Sequence, residues 1–243
     1  MINIVIPIAA TRLEDENEVF QYPLPLVEIL GKSLIEYSLD VFECLNEPKR
    51  FTFVLKEKDC KKYHLDSSLK LLVPECSIVK LSGNTRGSIC SVLMSIHLLD
   101  MNSECIITNY DQFIDYDISK ALNYFRKAKA DGGLITFNSI HPRWSFVSVN
   151  NDDVIQTAEK NPISNLAIAG FYYFKRFSDF VDGAFKSIQF DENYRNNYFT
   201  SSVFNQMILS SKLIKNYTIP KNQYHSFYSP QKISEFENHM RKK

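Results

Sequence analysis

Short apolar runs alternate with helically spaced segments through the first 130 residues, and this alternation constrains the fold more than any other feature. Residues 2–8, Ile-Asn-Ile-Val-Ile-Pro-Ile, are rich in β-branched side chains and read as a buried strand. Residues 33–45 place Leu34, Ile35, Leu39, Val41 and Phe42 at helical spacing. Residues 50–55 read as a second strand. Residues 59–72 read as a helix weakened in its middle by Asp66-Ser67-Ser68. A short third strand spans 77–81. The turn Gly83-Asn84-Thr85-Arg86-Gly87 then feeds a helix from 88 to about 99. Residues 104–108 form a fourth strand ending in Asn109-Tyr110-Asp111-Gln112, and 118–129 are helical again. Such alternation predicts an α/β fold with a doubly wound, mostly parallel central sheet.

After about residue 130 the pattern changes. Strands are expected at 133–138, 146–149, 154–158 and 167–174 without long helices between them. Helical spacing returns at 177–188 and 200–211, with a strand at 213–218 and a terminal helix over 230–240. Repeats and low-complexity linkers are absent from the sequence, so 1–243 is expected to form one domain with a mixed α+β second half, about 131–243.

Charge excludes some partners. Lys plus Arg number 28 and Asp plus Glu 28, giving zero formal charge. A broad nucleic-acid surface needs a positive excess, so no nucleic acid is expected. A small anionic substrate needs only a local cluster. The cysteines are 44, 60, 76, 90 and 105, an odd number with no CxxC spacing. They are expected to be reduced, buried thiols. The apolar run 2–10 is too short to span a bilayer and lacks the flanks of a signal peptide. No membrane span and a cytoplasmic location are expected.

In open α/β sheets ligands bind beyond the carboxyl ends of the strands. Three segments leave such ends: the loop after Ile8, the turn before Gly87, and the segment after Thr108. Asp111 is a candidate ligand for Mg²⁺, which takes one or two carboxylates and fills other positions with phosphate oxygens. It would also serve as a helix cap or turn former. Asp115 and Asp117 fit the capping role better. Thr85-Arg86-Gly87 would bring backbone N–H groups close to a base or phosphate, or simply cap the next helix. Glu159-Lys160 would grip a phosphate and hydroxyls, or be a solvated ion pair; Asn165 and Gly170 follow soon after. His141, Arg143 and Trp144 read as a substrate-edge cluster or as a turn with a packed aromatic, and His225 is equally open. Local spacing supports neither a Ser-His-Asp arrangement nor a metal-binding histidine pair.

Taken in order, these segments resemble the nucleotidyltransferases that make nucleotide sugars and related activated head groups. The opening strand and Pro23-Leu24-Pro25-Leu26-Val27-Glu28-Ile29-Leu30-Gly31-Lys32 resemble the family's first strand and Pro-Lys-Pro-Leu turn. Thr85-Arg86-Gly87 resembles its base-recognition turn and Asn109-Tyr110-Asp111-Gln112 its metal-binding strand end. Residues 158–164 and 170–174 resemble its acceptor half, and Tyr228-Ser229-Pro230 its Gly-Thr-Pro turn. The resemblance implies a GT-A-like fold with a Rossmann-like nucleotide half, about 1–130, and an acceptor half. It implies transfer of a nucleotidyl group from a nucleoside triphosphate to a phosphorylated sugar or similar small acceptor, with pyrophosphate release, serving surface (capsular) polysaccharide synthesis.

By resemblance, Ala9, Ala10, Thr85, Gly87 and Asn109 would bind nucleotide. Glu159, Lys160, Asn165 and Gly170 would bind the acceptor. Asp111 would hold Mg²⁺, and Arg12, Asp111 and Lys160 would be catalytic. A homo-oligomer is left open. The loop after Ile8 departs from the family's GxGxR form. Ala10 and Arg12 stand at its two glycines, Glu14 at its catalytic arginine, and Leu24 at the lysine of the Pro-Lys-Pro turn; residues 9–27 contain no glycine. A carboxylate about 4 Å from a phosphate charge costs roughly 4 kcal/mol at an effective dielectric near 20. Arg12 would then supply the missing charge, and Glu14, Asp15, Glu16 and Glu18 would bind a second metal or form a solvated loop. A GT-A glycosyltransferase using a sugar nucleotide, and a degenerate nucleotide-binding or scaffold relative, are the alternatives.

Overall fold

The computed structural model describes residues 1–10 and 22–242. Its elements run β1 (Ile2–Ile6), β2 (Glu28–Ile29), β3 (Lys32–Ser33), α1 (Leu34–Asp40), β4 (Lys49–Lys56), α2 (Glu57–Tyr63), α3 (Leu65–Leu72), β5 (Ser77–Leu81) and α4 (Ser88–Leu93). They continue with β6 (Glu104–Thr108), β7 (Gln112–Ile114), α5 (Ile118–Lys127), β8 (Gly132–Asn138), β9 (Ser145–Asn150), β10 (Asp153–Glu159) and β11 (Leu166–Phe174). The last are α6 (Phe177–Gln189), α7 (Thr200–Leu209), β12 (Ile214–Thr218), β13 (Tyr224–Ser226) and α8 (Pro230–Met240).

Nine strands form one sheet in the order β5-β4-β1-β6-β11-β8-β12-β10-β9. The first four run parallel, as the strand–helix alternation predicts. β11 enters antiparallel between β6 and β8, and only β8–β12 is parallel in the second half. The sheet curls until β9 touches β11 through Phe146 and Ala167. The result is an α/β fold with a parallel first half and a mixed second half.

Period-2 alternation explains the layers. Ile2, Ile4 and Ile6 of β1, Phe51, Phe53 and Leu55 of β4, and Phe171 and Tyr173 of β11 face one core, shared with Ile35, Leu65, Leu69, Leu122 and Phe125 from the helices. Val5, Val54, Tyr172 and Phe174 point the other way, onto Ile89, Val92, Phe180 and Phe204. A strand buried on both faces reads as a continuous apolar run, which is why 2–8 and 167–174 are legible in the sequence.

Two helices are shorter than their spacing suggests. The segment 59–72 breaks at His64, whose φ of 54° ends α2 and opens α3. Asp66, expected to weaken the helix, instead pairs with Lys80 at 2.5 Å. The helix from Ser88 stops at Leu93; the Ser91 and Ser95 hydroxyls donate back to the Gly87 and Val92 carbonyls, which competes with regular helix. The pairs β2–β3 and β7–β13 are too short to leave a sequence pattern.

Candidate active site

Asp111 stands on a backbone anchored from three sides. β11 slips register between Ile168 and Tyr172, and Gly170 in that bulge has a φ of +58°. Its carbonyl accepts hydrogen bonds from the Asn109 N–H (3.0 Å), the Thr108 hydroxyl (3.1 Å) and Gln112 Nε2 (3.0 Å). A Cβ there would lie 2.4 Å from Gln112 Oε1 and 2.5 Å from Asn109 Nδ2. On a second side, Ser38 Oγ donates to the Tyr110 and Gln112 carbonyls at 2.6 and 2.9 Å. On the third, the Phe227 N–H donates to the Asp111 carbonyl at 2.8 Å. The half-buried Asp111 carboxylate is therefore carried at a defined place beyond β6. Helix capping falls to Asp117, which accepts the Ser119 N–H at 3.1 Å at the start of α5.

The Glu159-Lys160 corner belongs to the same edge of the sheet. Glu159 ends β10 opposite Ser145, whose neighbour Phe146 meets Ala167 of β11. Glu159 accepts hydroxyl hydrogen bonds from Ser145 and from Ser201 (2.8 Å). Burial pushes its carboxyl above the usual range, while Ser145, the Lys160 charge and Ser201 pull it back in part. Lys160 turns the chain with a φ of 55°; its N–H donates to the Trp144 carbonyl at 3.0 Å and its ammonium to the Arg143 carbonyl. Each member of the pair is thus built into the hairpin rather than left in solvent.

Two tyrosines join these carboxylates. Burial, then the charges of Glu159 and Asp111, raise the Tyr172 phenol. Burial, then Asp111 and Tyr172, raise Tyr224, against Arg143. Asp111 and Glu159 both bear on Tyr172, and Asp111 also bears on Tyr224. The Tyr224 hydroxyl also donates to Gln112 Oε1 at 3.2 Å. Sequence reasoning passed over both tyrosines because they look like ordinary core aromatics; the hydroxyls matter only where the strands meet. Beside them opens a cavity of about 760 Å³ between the end of β8, the 139–144 loop, β13 and α8. Phe137 stacks on Tyr224 at 4.1 Å, Trp144 meets Tyr224 edge-on at 5.5 Å, and Arg143 lies 3.3 Å over the Tyr228 ring. His141, Arg143 and Trp144 line that cavity, so the open reading resolves to a packed turn that also forms a pocket wall.

Ala9 and Ala10 leave the end of β1, the parallel neighbour of β6. The Ala9 N–H donates to the Val54 carbonyl at 2.7 Å and the Ala10 N–H to the Pro7 carbonyl at 3.2 Å, so both amides are used inside the protein. Thr85 and Gly87 follow β5 and pack on the 198–201 segment: the Tyr198 N–H donates to the Arg86 carbonyl at 2.9 Å and Ser88 bonds Thr200 at 2.9 Å, next to the Ser201 that donates to Glu159. Gly87, φ +90°, packs so closely that a Cβ would stand 2.3 Å from the Tyr198 carbonyl oxygen. The Thr85 hydroxyl bonds Ser91 Oγ at 2.6 Å. Asn165 is exposed, lines a separate depression of about 430 Å³ with Lys221 and His141, and accepts the Ser139 N–H at 3.0 Å through its carbonyl. Arg12 and the acidic residues Glu14, Asp15, Glu16 and Glu18 lie outside the described residues. No helix among the described residues is long and apolar enough to cross a membrane.

The nucleotidyl transferase family profile matches residues 20–223, and the chain belongs to that family. No curated protein matches it. Among solved structures it is similar to the nucleoside-diphosphate-sugar pyrophosphorylase from Vibrio cholerae RC9, with a TM-score of 0.81 and 23% identity over 98% of this chain and 100% of that one. It is also similar to the inositol-1-phosphate CTP transferase from T. maritima, with a TM-score of 0.74 and 15% identity over 99% and 95% of the two chains. Both share its α/β fold.

Proposed function

We propose that this protein transfers a nucleotidyl group from a nucleoside triphosphate to a phosphorylated sugar or similar small acceptor, releasing pyrophosphate, in cytoplasmic synthesis of surface polysaccharide precursors. What supports the reading is that Gly170 of β11 holds the loop of Asp111 through Asn109, while Ala167 three residues earlier meets Phe146, the neighbour of Ser145 opposite Glu159, in a nucleotidyl transferase family member. The donor suits Mg²⁺: one half-buried carboxylate on a backbone held by hydrogen bonds from three sides. Asp111 would hold the ion, which balances phosphate charge when bound. Glu159, oriented by two serines, would accept hydrogen bonds from acceptor hydroxyls. Lys160 would exchange the Arg143 carbonyl for an acceptor phosphate oxygen. In-line attack by that phosphate on the α-phosphorus needs little covalent help, so positioning and charge do most of the catalysis.

The engaged amides of Ala9 and Ala10 favour a second reading, a relative that binds nucleotide without turnover. Pyrophosphate release, measured with each of the four triphosphates against a panel of sugar phosphates, separates the two. Turnover with one pair supports the transferase. Calorimetric nucleotide binding without any release supports the binder. Asp111→Ala is expected to abolish Mg²⁺-dependent nucleotide binding, and unchanged affinity would remove Asp111 from the site.

A further inference from the structure

The cavity wall carries a second cluster that the transferase reading does not use. Asp115, His225 and His239 each present one ligand atom, and these atoms lie within 4.8 Å of one another. They come from three elements. The β7–β13 ladder pairs His225 with Phe113, and the Asp115 N–H extends it by donating to the Gln223 carbonyl at 2.8 Å. Asp115 and His225 are then diagonal neighbours across an antiparallel pair, on one face. His239 sits in the last turn of α8, one turn beyond the buried Phe236, so both face the ladder. The two imidazole rings stand 4.7 Å apart, centroid to centroid.

We propose that these three side chains form a binding site for a divalent transition-metal ion, Zn²⁺ by its chemistry. Two imidazole nitrogens and one carboxylate suit Zn²⁺, Co²⁺ or Ni²⁺ and not Mg²⁺, which takes oxygen ligands. His239 Nε2 is 3.7 Å from Asp115 Oδ2; it is shielded from solvent and makes no hydrogen bond, although the ring is about a third exposed. Ligands of a tetrahedral ion bonded at about 2.0–2.1 Å lie about 3.3 Å apart. Closing the cluster from separations of up to 4.8 Å needs side-chain torsion shifts of about 1.5 Å at most. Both histidines line the 760 Å³ cavity, so a fourth coordination position would face it. This is the three-ligand pattern of zinc sites that keep one position open for water or a ligand. Bound metal would also clamp α8 to β7–β13.

The test titrates Zn²⁺ into the chelator-treated chain in the calorimeter, with Mg²⁺ in excess. One Zn²⁺ per chain, undisplaced by Mg²⁺ and accompanied by a higher Tm, is expected. Co²⁺ should give the visible d–d spectrum of a nitrogen and oxygen site, without the thiolate charge-transfer band that cysteine ligation would add. His239→Gln and Asp115→Asn should each weaken Zn²⁺ binding by at least the ~10–100-fold that loss of an outer partner costs. His141→Ala, on the same cavity wall, should leave it unchanged. Absence of stoichiometric Zn²⁺ binding by the unaltered chain, or full binding by the folded His239→Gln variant, overturns the site. His239 is partly exposed, so this variant is expected to fold and to decide the question if His225 variants do not.

Discussion

Glu159 shows at the scale of one residue how a site is charged against its surroundings. Burial raises its carboxyl above the ordinary value, so the ionised form is disfavoured in the folded chain. The associated stability is fully present below the unfolded-state value, about 4.3, and is lost as pH rises through the higher folded value. Glu159→Gln removes the buried charge and keeps an acceptor for Ser145 or Ser201. It is expected to raise Tm near neutral pH, with the two melting curves converging in acid, while weakening acceptor binding. A Tm difference independent of pH would show that Glu159 is not penalised by burial. The sequence shows a Glu beside a Lys, a pattern that more often marks a solvated ion pair than a grip on substrate. Their separate partners, two serines and a distant carbonyl, are set by strand pairing and have no local signature.

At the scale of elements, the loop that bears Asp111 depends on a bulge in another strand. Gly170 sits in left-handed backbone and offers its carbonyl to Thr108, Asn109 and Gln112 together. Gly170→Ala forces φ strain of about 1–2 kcal/mol and adds overpacking of about 1–3 kcal/mol. A total loss of roughly 2–5 kcal/mol in urea unfolding is expected. Activity should fall further than Tm implies, because a ~1 Å displacement of a positioned group costs about 10²-fold in rate. Thermal loss without a change in nucleotide affinity would show that the bulge does not position Asp111. Strands and most helices were legible because burial on one or both faces imposes a period on the sequence. The break at His64 and the early end of α4 were not, since a single left-handed residue and serine back-bonds override spacing locally.

Across the whole molecule, residues 24–37 are packed against the C-terminal helix. Leu24, Ile29, Leu34 and Tyr37 share a small core with Phe227 and Phe236. Phe236 touches Tyr37, Phe113 and Phe227 at ring centroid distances of 5.0, 5.6 and 5.1 Å. Phe236→Ala should cost about 3–5 kcal/mol, read as a lower urea midpoint. A loss under 1 kcal/mol would mean that α8 is not held by this cluster. The same packing accounts for Leu24, which stands where the resembling turn has a lysine: at 7% exposure it fills an apolar socket. A lysine there would carry its charge into that socket, so Leu24→Lys is expected to lower Tm.

By itself the sequence determined the α/β class, the strand and helix order and the position of Asp111 at a strand end, because hydrophobic periodicity and turn residues are local properties. Only the tertiary structure decided that β11 runs antiparallel through the sheet, that Glu159 and Tyr172 face the Asp111 edge, and that His225 meets His239. Those outcomes depend on which distant segments pair. Pairing is selected by the summed burial of both partners, a quantity that neither segment carries alone.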